Sequence, residues 1–191
     1  MKNEIYEGVK YNSYRDLVDL FKTKYSKMIA FEYRLNPNDE TTIKKTYLEF
    51  ANDIISLAKS LLKLNSRRVA IISPNRYEWC VSYFAVEIAG LLVIPLDKSL
   101  PGNEIKGLLE RSQADTIFYS SKYENDVKSC NTKICFDLIE KENFDIDEKS
   151  DTSISYLDLI KVGQTLGDNQ LNKVILDPRS PSIMLFTSRN H

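Results

Sequence analysis

Histidine is nearly absent from this 191-residue sequence, whose single histidine is the terminal His191. Nucleophilic triads need a histidine or a substitute base, so hydrolase chemistry of that kind has little support. Cysteine is also scarce, with three in the chain, and four residues separate Cys130 from Cys135. A zinc site would need further ligands. We therefore expect structural thiols and no metal site.

The glycine-rich phosphate motifs of common nucleotide-binding folds are missing. A dinucleotide site needs Gly-x-Gly-x-x-Gly after an early strand, whereas the turn after Ser73 reads Pro74-Asn75-Arg76. The sequence also contains no Gly-Lys-Ser/Thr, as a Walker-type loop requires. These absences argue against a nicotinamide-binding fold and a P-loop fold.

Long apolar runs and an excess of one charge are absent too. The longest uncharged apolar run, residues 88–96, contains Gly90 and Pro95 and is far shorter than the about 20 residues that span a bilayer. Residues 1–10 are polar and do not resemble a secretory leader, so a reducing cytoplasm is the expected location. The net charge of -1 gives no indication of a nucleic-acid partner or an anionic membrane surface.

What is present is a globular composition, with 42% hydrophobic residues. Apolar spacing after Ser13, with Asp16 three residues on, predicts an N-capped amphipathic helix. Residues 29–33 and 42–47 flank the polar turn 36–39 and predict a β-hairpin.

Helix and strand patterns then alternate along the chain. An apolar stripe predicts a long helix over residues 48–64; its positions are Leu48, Ala51, Ile55, Ala58 and Leu62, widened by Ile54 and Leu61. Short apolar strands are predicted at 69–73, 91–96 and 116–120. Between them we expect a helix capped by Asn75 with Glu78 and ended by Gly90, and another with Pro101 early in it. This alternation predicts an α/β fold, a layered and mostly parallel sheet with helices on both faces.

The remaining third is less regular. Residues 134–139 and 183–186 read as further strands, the latter as a buried one, and a helix starts at Ser153 or Ser155. Residues 140–152 are predicted to form a surface excursion, and residues 163–181 an irregular connection. We predict a single α/β domain over residues 1–191.

Polar residues follow two of the predicted strands at the end where open α/β sheets bind ligands. They are Asn75, Arg76 and Tyr77 after the first strand, and Asp97 and Lys98 after the second. The alternative, that they are capping and loop residues, stays open.

The final strand pattern runs into Thr187 and Ser188, where a phosphate loop could begin. An anion-binding turn needs glycines and usually a lysine, but Arg189 and Asn190 stand where glycine is wanted. Alternatively, Thr187 and Ser188 merely cap the strand.

Four blocks together resemble the adenylate-forming (AMP-forming) acyl-CoA synthetase family. They are Arg-Val-Ala-Ile-Ile-Ser-Pro-Asn-Arg-Tyr-Glu-Trp at 68–79, Val-Ile-Pro-Leu-Asp at 93–97 with the Leu-Pro and Glu-Ile pairs at 100–105, Thr-Tyr-Leu-Glu-Phe at 46–50, and Ile-Met-Leu-Phe-Thr-Ser at 183–188. The last is similar to the start of the family's signature, Thr-Ser-Gly-Thr-Thr-Gly-x-Pro-Lys. The blocks at 75–79 and 95–98 most resemble the long-chain fatty acyl-CoA synthetases.

The resemblance covers residues 13–188 and about the first third of such an enzyme. It implies a carboxylic acid substrate, and the likeness to the long-chain branch implies a fatty acid. It also implies ATP, Mg²⁺ and coenzyme A (CoA) as cofactors of the complete enzyme, none of which is expected to bind tightly to this chain. Thr187 and Ser188 would begin its ATP phosphate loop. The sequence contains none of the family's catalytic residues, neither the loop lysine nor the magnesium-binding glutamate.

Two hypotheses follow. In the first, the chain is the N-terminal part of an acyl-CoA synthetase, inactive alone, whose partner is the remainder of its own polypeptide. It would then self-associate through the surface that this remainder normally covers. In the second, it is a truncated, non-catalytic binding or partner-docking module. Amino-acid or aryl-acid adenylation would share every feature visible here.

Overall fold

The computed structural model describes residues 9–35, 38–148 and 152–186. The helices are α1 (Tyr14–Thr23), α2 (Tyr47–Lys63), α3 (Tyr77–Ile88), α4 (Gly102–Ser112), α5 (Tyr156–Thr165) and α6 (Asn169–Lys173). The strands are β1 (Ile29–Tyr33), β2 (Ile43–Thr46), β3 (Arg68–Ile72), β4 (Leu92–Pro95), β5 (Thr116–Tyr119), β6 (Thr132–Cys135) and β7 (Ile154–Ser155). A short 3-10 turn covers Ser121–Tyr123.

A five-stranded parallel sheet in the order β4-β3-β5-β6-β7 forms the centre of the fold. Its central strands β3 and β5 are apolar and buried along almost their whole length. Strands with helices on both sides have no polar face, so they read as continuous apolar runs. The predicted α/β fold with a parallel sheet is confirmed.

The two faces of the sheet carry separate hydrophobic clusters. Val69 and Ile71 point into a cluster with α1, α2, α3 and α5, whereas Ala70 and Ile72 pack with α4 on the opposite face. Side chains alternate between faces along a strand, so each strand contributes to both clusters. Helices therefore cover both faces, as predicted.

The predicted hairpin is present as a separate two-stranded sheet, β1 antiparallel to β2. Its turn includes Asn36 and Pro37, which lie outside the described residues. At the end of β2 the backbone N–H of Thr46 donates to Glu49 Oε2 at 2.8 Å, and the backbone N–H of Glu49 donates to Thr46 Oγ1 at 3.2 Å. This capping box starts α2, and its Thr-x-x-Glu signal was available in the sequence.

The buried face of α2 differs from the predicted stripe. Leu48 is 40% exposed, and Ile55 and Leu62 are only partly buried. The centre of the face is formed by Ile54, Leu57 and Leu61, each fully buried. The difference arises because α2 packs against α1, α3 and α5, which widens the buried arc and turns it away from Leu48.

Three predicted element boundaries were wrong. Asn75 does not cap α3, because Arg76 occupies the N-cap position in an extended conformation without a side-chain capping bond. Pro101 lies just before α4, whose first residue is Gly102. The predicted strand 134–139 is instead β6, which starts earlier and ends at Cys135, since the chain turns at Asp137 and leaves Ile139 exposed.

The chain after β6 is more ordered than predicted. Residues 140–148 run over the surface with Phe144 and Ile146 packed back onto the core, while residues 149–151 lie outside the described residues. Ser155 caps α5 by accepting from the N–H of Leu157, which confirms the second of the two predicted starts. The connection predicted as irregular contains the end of α5 and the short helix α6, which tertiary contacts of the buried Leu171 hold in place.

Candidate functional site

The carboxyl ends of β3, β5 and β6 meet at one edge of the sheet because all three strands are parallel. A pocket of about 350 Å³ opens there, and it is lined by Pro74, Asn75, Arg76, Ser120, Ser121, Lys122 and Asp137. Open α/β sheets bind ligands at this edge. Two of the five polar residues predicted here, Asn75 and Arg76, therefore line a pocket.

Arg76 is the best-anchored side chain of this pocket. Its Nε donates to Glu78 Oε2 at 2.8 Å, and one Nη donates to Asp137 Oδ1 at 2.6 Å and to Ser120 Oγ at 3.4 Å. The guanidinium also lies 4.9 Å from the centre of the Phe136 ring. A planar group held on several sides is preorganised for recognition.

The electrostatics of the pocket are set by Arg76 and Asp137. Burial by itself would raise the pKa of Asp137, but the Arg76 guanidinium and the N–H of Ser121 together hold that pKa below its ordinary value. Asp137 is therefore ionised at neutral pH, and its charge offsets that of Arg76. The pocket offers hydroxyls, the Lys122 side chain and a guanidinium that is already paired with both Glu78 and Asp137, and this lining suits a polar ligand.

Replacing Arg76 by glutamine is expected to raise the pKa of Asp137, because it removes both the nearest positive charge and its hydrogen bond. Carbon-detected NMR titration of the Asp137 carboxyl measures this shift. Since the folded-state pKa lies below the unfolded value of about 3.9, the pair stabilises the fold above that pH and loses this effect as the pH falls through the folded pKa. As the pH falls through that range, the free energy of unfolding should therefore decrease less for Arg76→Gln than for the parent chain.

Arg179→Gln is the matched control, because Arg179 pairs with Asp177 at 3.2 Å in a different part of the fold. It should leave the Asp137 titration unchanged. An Asp137 pKa that is equally low with and without Arg76 would contradict the assigned ion pair.

Asp97 and Lys98 do not reach this pocket. Asp97 Oδ1 accepts from the N–H of Ser99 at 2.8 Å and from its hydroxyl at 2.7 Å, which closes a local turn. The Lys98 carbonyl accepts from the Tyr123 hydroxyl at 2.7 Å. For these two residues the structure favours the loop interpretation.

Tyr77 points away from the pocket toward the β-hairpin. Its hydroxyl donates to Asp53 Oδ2 at 2.8 Å, and Lys45 Nζ lies 3.8 Å from the same oxygen. Burial raises the pKa of Asp53 and also that of Tyr77. The sequence reasoning missed Asp53, although an acid within the apolar side of a helix pattern was a usable signal.

The segment that leads to Thr187 and Ser188 joins the edge of the sheet at β4. Val93 N–H donates to the Ser182 carbonyl and Met184 N–H donates to the Val93 carbonyl, both at 2.9 Å, giving one parallel bridge. The prediction of a buried strand at 183–186 was wrong, because this is an outer edge and Leu185 is 65% exposed. Thr187 and Ser188 themselves lie outside the described residues.

Arg15 of α1 joins the end of α3 to the end of α6, and the chain continues from α6 to that segment. Its guanidinium donates to the carbonyls of Ile88 (3.1 and 2.9 Å), Leu171 (2.9 Å) and Val174 (2.7 Å). Carbonyls at helix ends lack partners within the helix, so one side chain here satisfies the ends of both α3 and α6. The turn that follows α3 depends on Gly90, whose φ of 68° favours glycine. A Cβ at this position would also lie only 2.8 Å from Val174 Cγ1.

The remaining candidates for chemistry are the three thiols and the side chains that could bind a metal ion. Cys80, Cys130 and Cys135 are free, and burial raises the pKa of Cys130 to about 11. Across the part of the chain that the structure describes, no group of three His, Cys, Asp or Glu side chains is placed to hold a metal ion. Within the same ranges, no helix is long and apolar enough to cross a membrane.

Comparison with known proteins gives a family match over most of the chain. The model of the AMP-binding enzyme family matches residues 22–188. The long-chain-fatty-acid–CoA ligase FadD15 of Mycobacterium bovis is 32% identical over 76 residues, covering 38% of this chain and 13% of the ligase. The 4-hydroxybutyrate–CoA ligase 2 of Metallosphaera sedula is 25% identical over 126 residues, covering 62% of this chain and 23% of the ligase.

A solved structure agrees in fold over nearly the whole chain. The A-PCP didomain of carboxylic acid reductase from Segniliparus rugosus, solved in complex with AMP, superposes with a TM-score of 0.66 at 13% identity. The match covers 92% of this chain and 29% of the didomain. This chain therefore spans less than a third of the length of each of these three proteins.

Proposed function

The chain belongs to the AMP-binding enzyme family, and we propose that it is the N-terminal portion of an ATP-dependent acyl-CoA synthetase, inactive in isolation. In this proposal residues 1–191 fold as one α/β domain, and the remainder of the polypeptide is the partner that completes the enzyme. The match to a long-chain-fatty-acid–CoA ligase supports a fatty acid as the substrate. The free cysteines support a reducing cytoplasm as the location.

The proposed reaction has two steps. A carboxylate oxygen of the acid attacks the α-phosphorus of ATP, forming an acyl-adenylate as the bond to pyrophosphate breaks. The sulfur of CoA then attacks the acyl carbon, forming the thioester as the bond to AMP breaks. Mg²⁺ would neutralise charge on the phosphates of the complete enzyme.

The observation that carries the proposal is the parallel bridge between Val93 and Ile183, together with the family match that extends to residue 188. The bridge adds the segment that precedes Thr187 and Ser188 in the sequence to the β4 edge. These two residues are proposed to start the loop over the ATP phosphates, and the role of Arg15, β4 and Gly90 is to fix the approach to it. The rest of the proposed site, including all catalytic groups, belongs to other parts of a complete enzyme.

The alternative of a non-catalytic binding module is favoured by the pocket at Arg76. Arg76 and Asp137 hold each other in an ion pair, and the part of the chain that the structure describes contains no histidine that could lie beside the hydroxyls of Ser120 and Ser121. Such a pocket can bind a polar ligand, and its described lining supplies no histidine to activate a nucleophile.

Sequencing the source gene past the codon for Ser188, followed by an exchange assay, separates the two functions. We expect a reading frame that continues with Gly-Thr-Thr and reaches a lysine, and a longer product that catalyses carboxylate-dependent exchange of pyrophosphate into ATP. The 191-residue chain should remain at background, with FadD15 as the positive control. Exchange by the short chain would contradict the need for the loop, and a frame that closes at His191 would favour the binding module.

A further inference from the structure

The Arg76 pocket lies where the order of the strands in the parallel sheet reverses. From β3 the chain crosses through α3 to β4 on one side, whereas from β5 it continues to β6 on the other side. The loop after β3 leads to α3 on one face of the sheet, and the loop after β5 packs Tyr123 into the cluster on the opposite face. The two loops therefore separate and leave a crevice, and open α/β sheets bind ligands at such a point.

The strongest acceptors at this pocket already have donors. Asp137 Oδ1 accepts from an Nη of Arg76 at 2.6 Å, and its Oδ2 accepts from the N–H of Ser121 at 2.7 Å. Glu78, which holds Arg76 from outside the lining, accepts from its Nε at 2.8 Å. The Ser120 hydroxyl oxygen accepts from the guanidinium at 3.4 Å, so its hydrogen is left to donate. An occupant rich in donors would have to compete with these bonds.

Donors on the pocket lining are not matched by acceptors in the same way. Lys122 is exposed and has no hydrogen bond or ion pair with any described residue. The Asn75 amide and the second Nη of Arg76 also lack a hydrogen-bond partner among those residues. An ammonium provides three donors and no acceptor. What the lining leaves unmatched is therefore donor capacity together with one positive charge, and an anion that carries several oxygens complements both.

The positions of these donors are fixed by the structure around them. Lys122 Nζ lies 4.5 Å from the centre of the Tyr123 ring, which is a cation–π contact. Tyr123 is only 5% exposed, and its hydroxyl donates to the Lys98 carbonyl at 2.7 Å. Arg76, from the other loop, is held by its two carboxylates and by the Phe136 ring. Donors that are already placed lose less conformational freedom when a ligand binds.

We propose that this pocket binds a small phosphate monoester. The phosphate accepts from Lys122 and from the hydroxyl and amide donors of the two loops. A tetrahedral phosphate accepts bonds from several directions, which suits donors that come from separate loops, and lysine binds phosphate as a point charge. The volume of about 350 Å³ is near the lower end of small-molecule sites and limits the ester to a few carbons. The proposal gives the pocket a ligand class and does not depend on acyl-CoA synthetase activity.

The test is an NMR titration of the ¹⁵N-labelled 191-residue chain with sn-glycerol 3-phosphate at neutral pH. A ligand of so few atoms binds weakly, so the titration extends to about 20 mM with the ionic strength held constant. We expect saturable shifts at the amides of Asn75, Ser121 and Lys122, and inorganic phosphate should shift the same amides. Glycerol and acetate, which lack the phosphate, should bind at least about tenfold more weakly.

Two variants should change the affinity in opposite directions. Lys122→Gln removes the unpaired charge and should weaken binding at least about tenfold. Lys106→Gln is the matched control, because it makes the same change of net charge at an exposed position on α4, outside the pocket lining, and it should leave the affinity unchanged. Asp137→Asn keeps the shape of the side chain but frees Arg76 from a competing carboxylate, so it should strengthen binding at least about threefold.

The proposal is overturned if these amides show no saturable shifts, or if glycerol or acetate binds as tightly as glycerol 3-phosphate. Equal weakening by Lys122→Gln and Lys106→Gln would reduce the effect to overall charge and would overturn it too. An unchanged affinity in a folded Asp137→Asn variant would place the phosphate away from Arg76 and contradict the proposed site. Lys122 is exposed, so its variant keeps the test decisive should Asp137→Asn not fold. Pyrophosphate exchange is measured on the longer product, so failure of this proposal and failure of the proposed enzyme activity can be told apart.

Discussion

Replacing Gly163 by alanine is expected to destabilise the fold by about 1–3 kcal/mol or more, because α5 touches α2 at this position. A Cβ on Gly163 would lie 1.8 Å from the Ser56 carbonyl oxygen and 2.8 Å from the Ser56 Cα. The clash is with backbone, so a helix has to move. That movement would also strain the buried bond from Ser60 Oγ to the Leu159 carbonyl, at 2.6 Å.

Gly107→Ala provides the control, because Gly107 lies within α4 and a Cβ there would meet no atom within 4 Å. Alanine favours a helix over glycine by about 1 kcal/mol, so this variant should be more stable than the parent chain. Urea denaturation followed by circular dichroism measures both variants. Equal stabilisation by the two substitutions would contradict the close approach of α5 to α2.

Leu57→Ala is expected to lower the free energy of unfolding by about 2–5 kcal/mol, because it empties volume in a packed interior. Leu57 is fully buried in the centre of α2, within the cluster that joins α1, α3 and α5 to the sheet. The surrounding helices are held by their own contacts, so the cavity can collapse only in part. The same denaturation measurement gives the change.

Leu48→Ala removes the same atoms from the same helix at a position that is 40% exposed. Surface substitutions usually change stability by about 0.5 kcal/mol or less, so the two leucines should differ clearly. If Leu48→Ala proves as costly as Leu57→Ala, the predicted stripe starting at Leu48 would be right and the observed burial wrong.

The elements that sequence patterns located best are those with strong local signals. Residues 69–73 and 116–120 read as apolar runs, and both became central strands because burial on both faces leaves no polar alternation. In contrast, β7 has two residues and α6 has five, too few for a periodic pattern. Their backbone order depends on neighbours that are distant in sequence.

The residues of the pocket at the sheet edge also differ in whether the sequence predicted them. Asn75 and Arg76 were predicted near a ligand edge because they follow a strand, and both line the pocket. Asp137, the partner of Arg76, was missed, because it lies 61 residues from Arg76 and a longer strand was expected there. Which polar groups meet depends on strand order, and local sequence does not encode it.

By itself, the sequence determined the α/β class, the alternation that makes the sheet parallel, the hairpin and the likeness to the adenylate-forming family. These follow from periodicity, capping residues and motif order, all of which act over a few neighbouring residues. Only the tertiary structure decided the strand order, the buried arc of α2 and the contact of Gly163 with Ser56. Those features arise where segments far apart in the chain pack together, and packing depends on shapes that no single segment possesses.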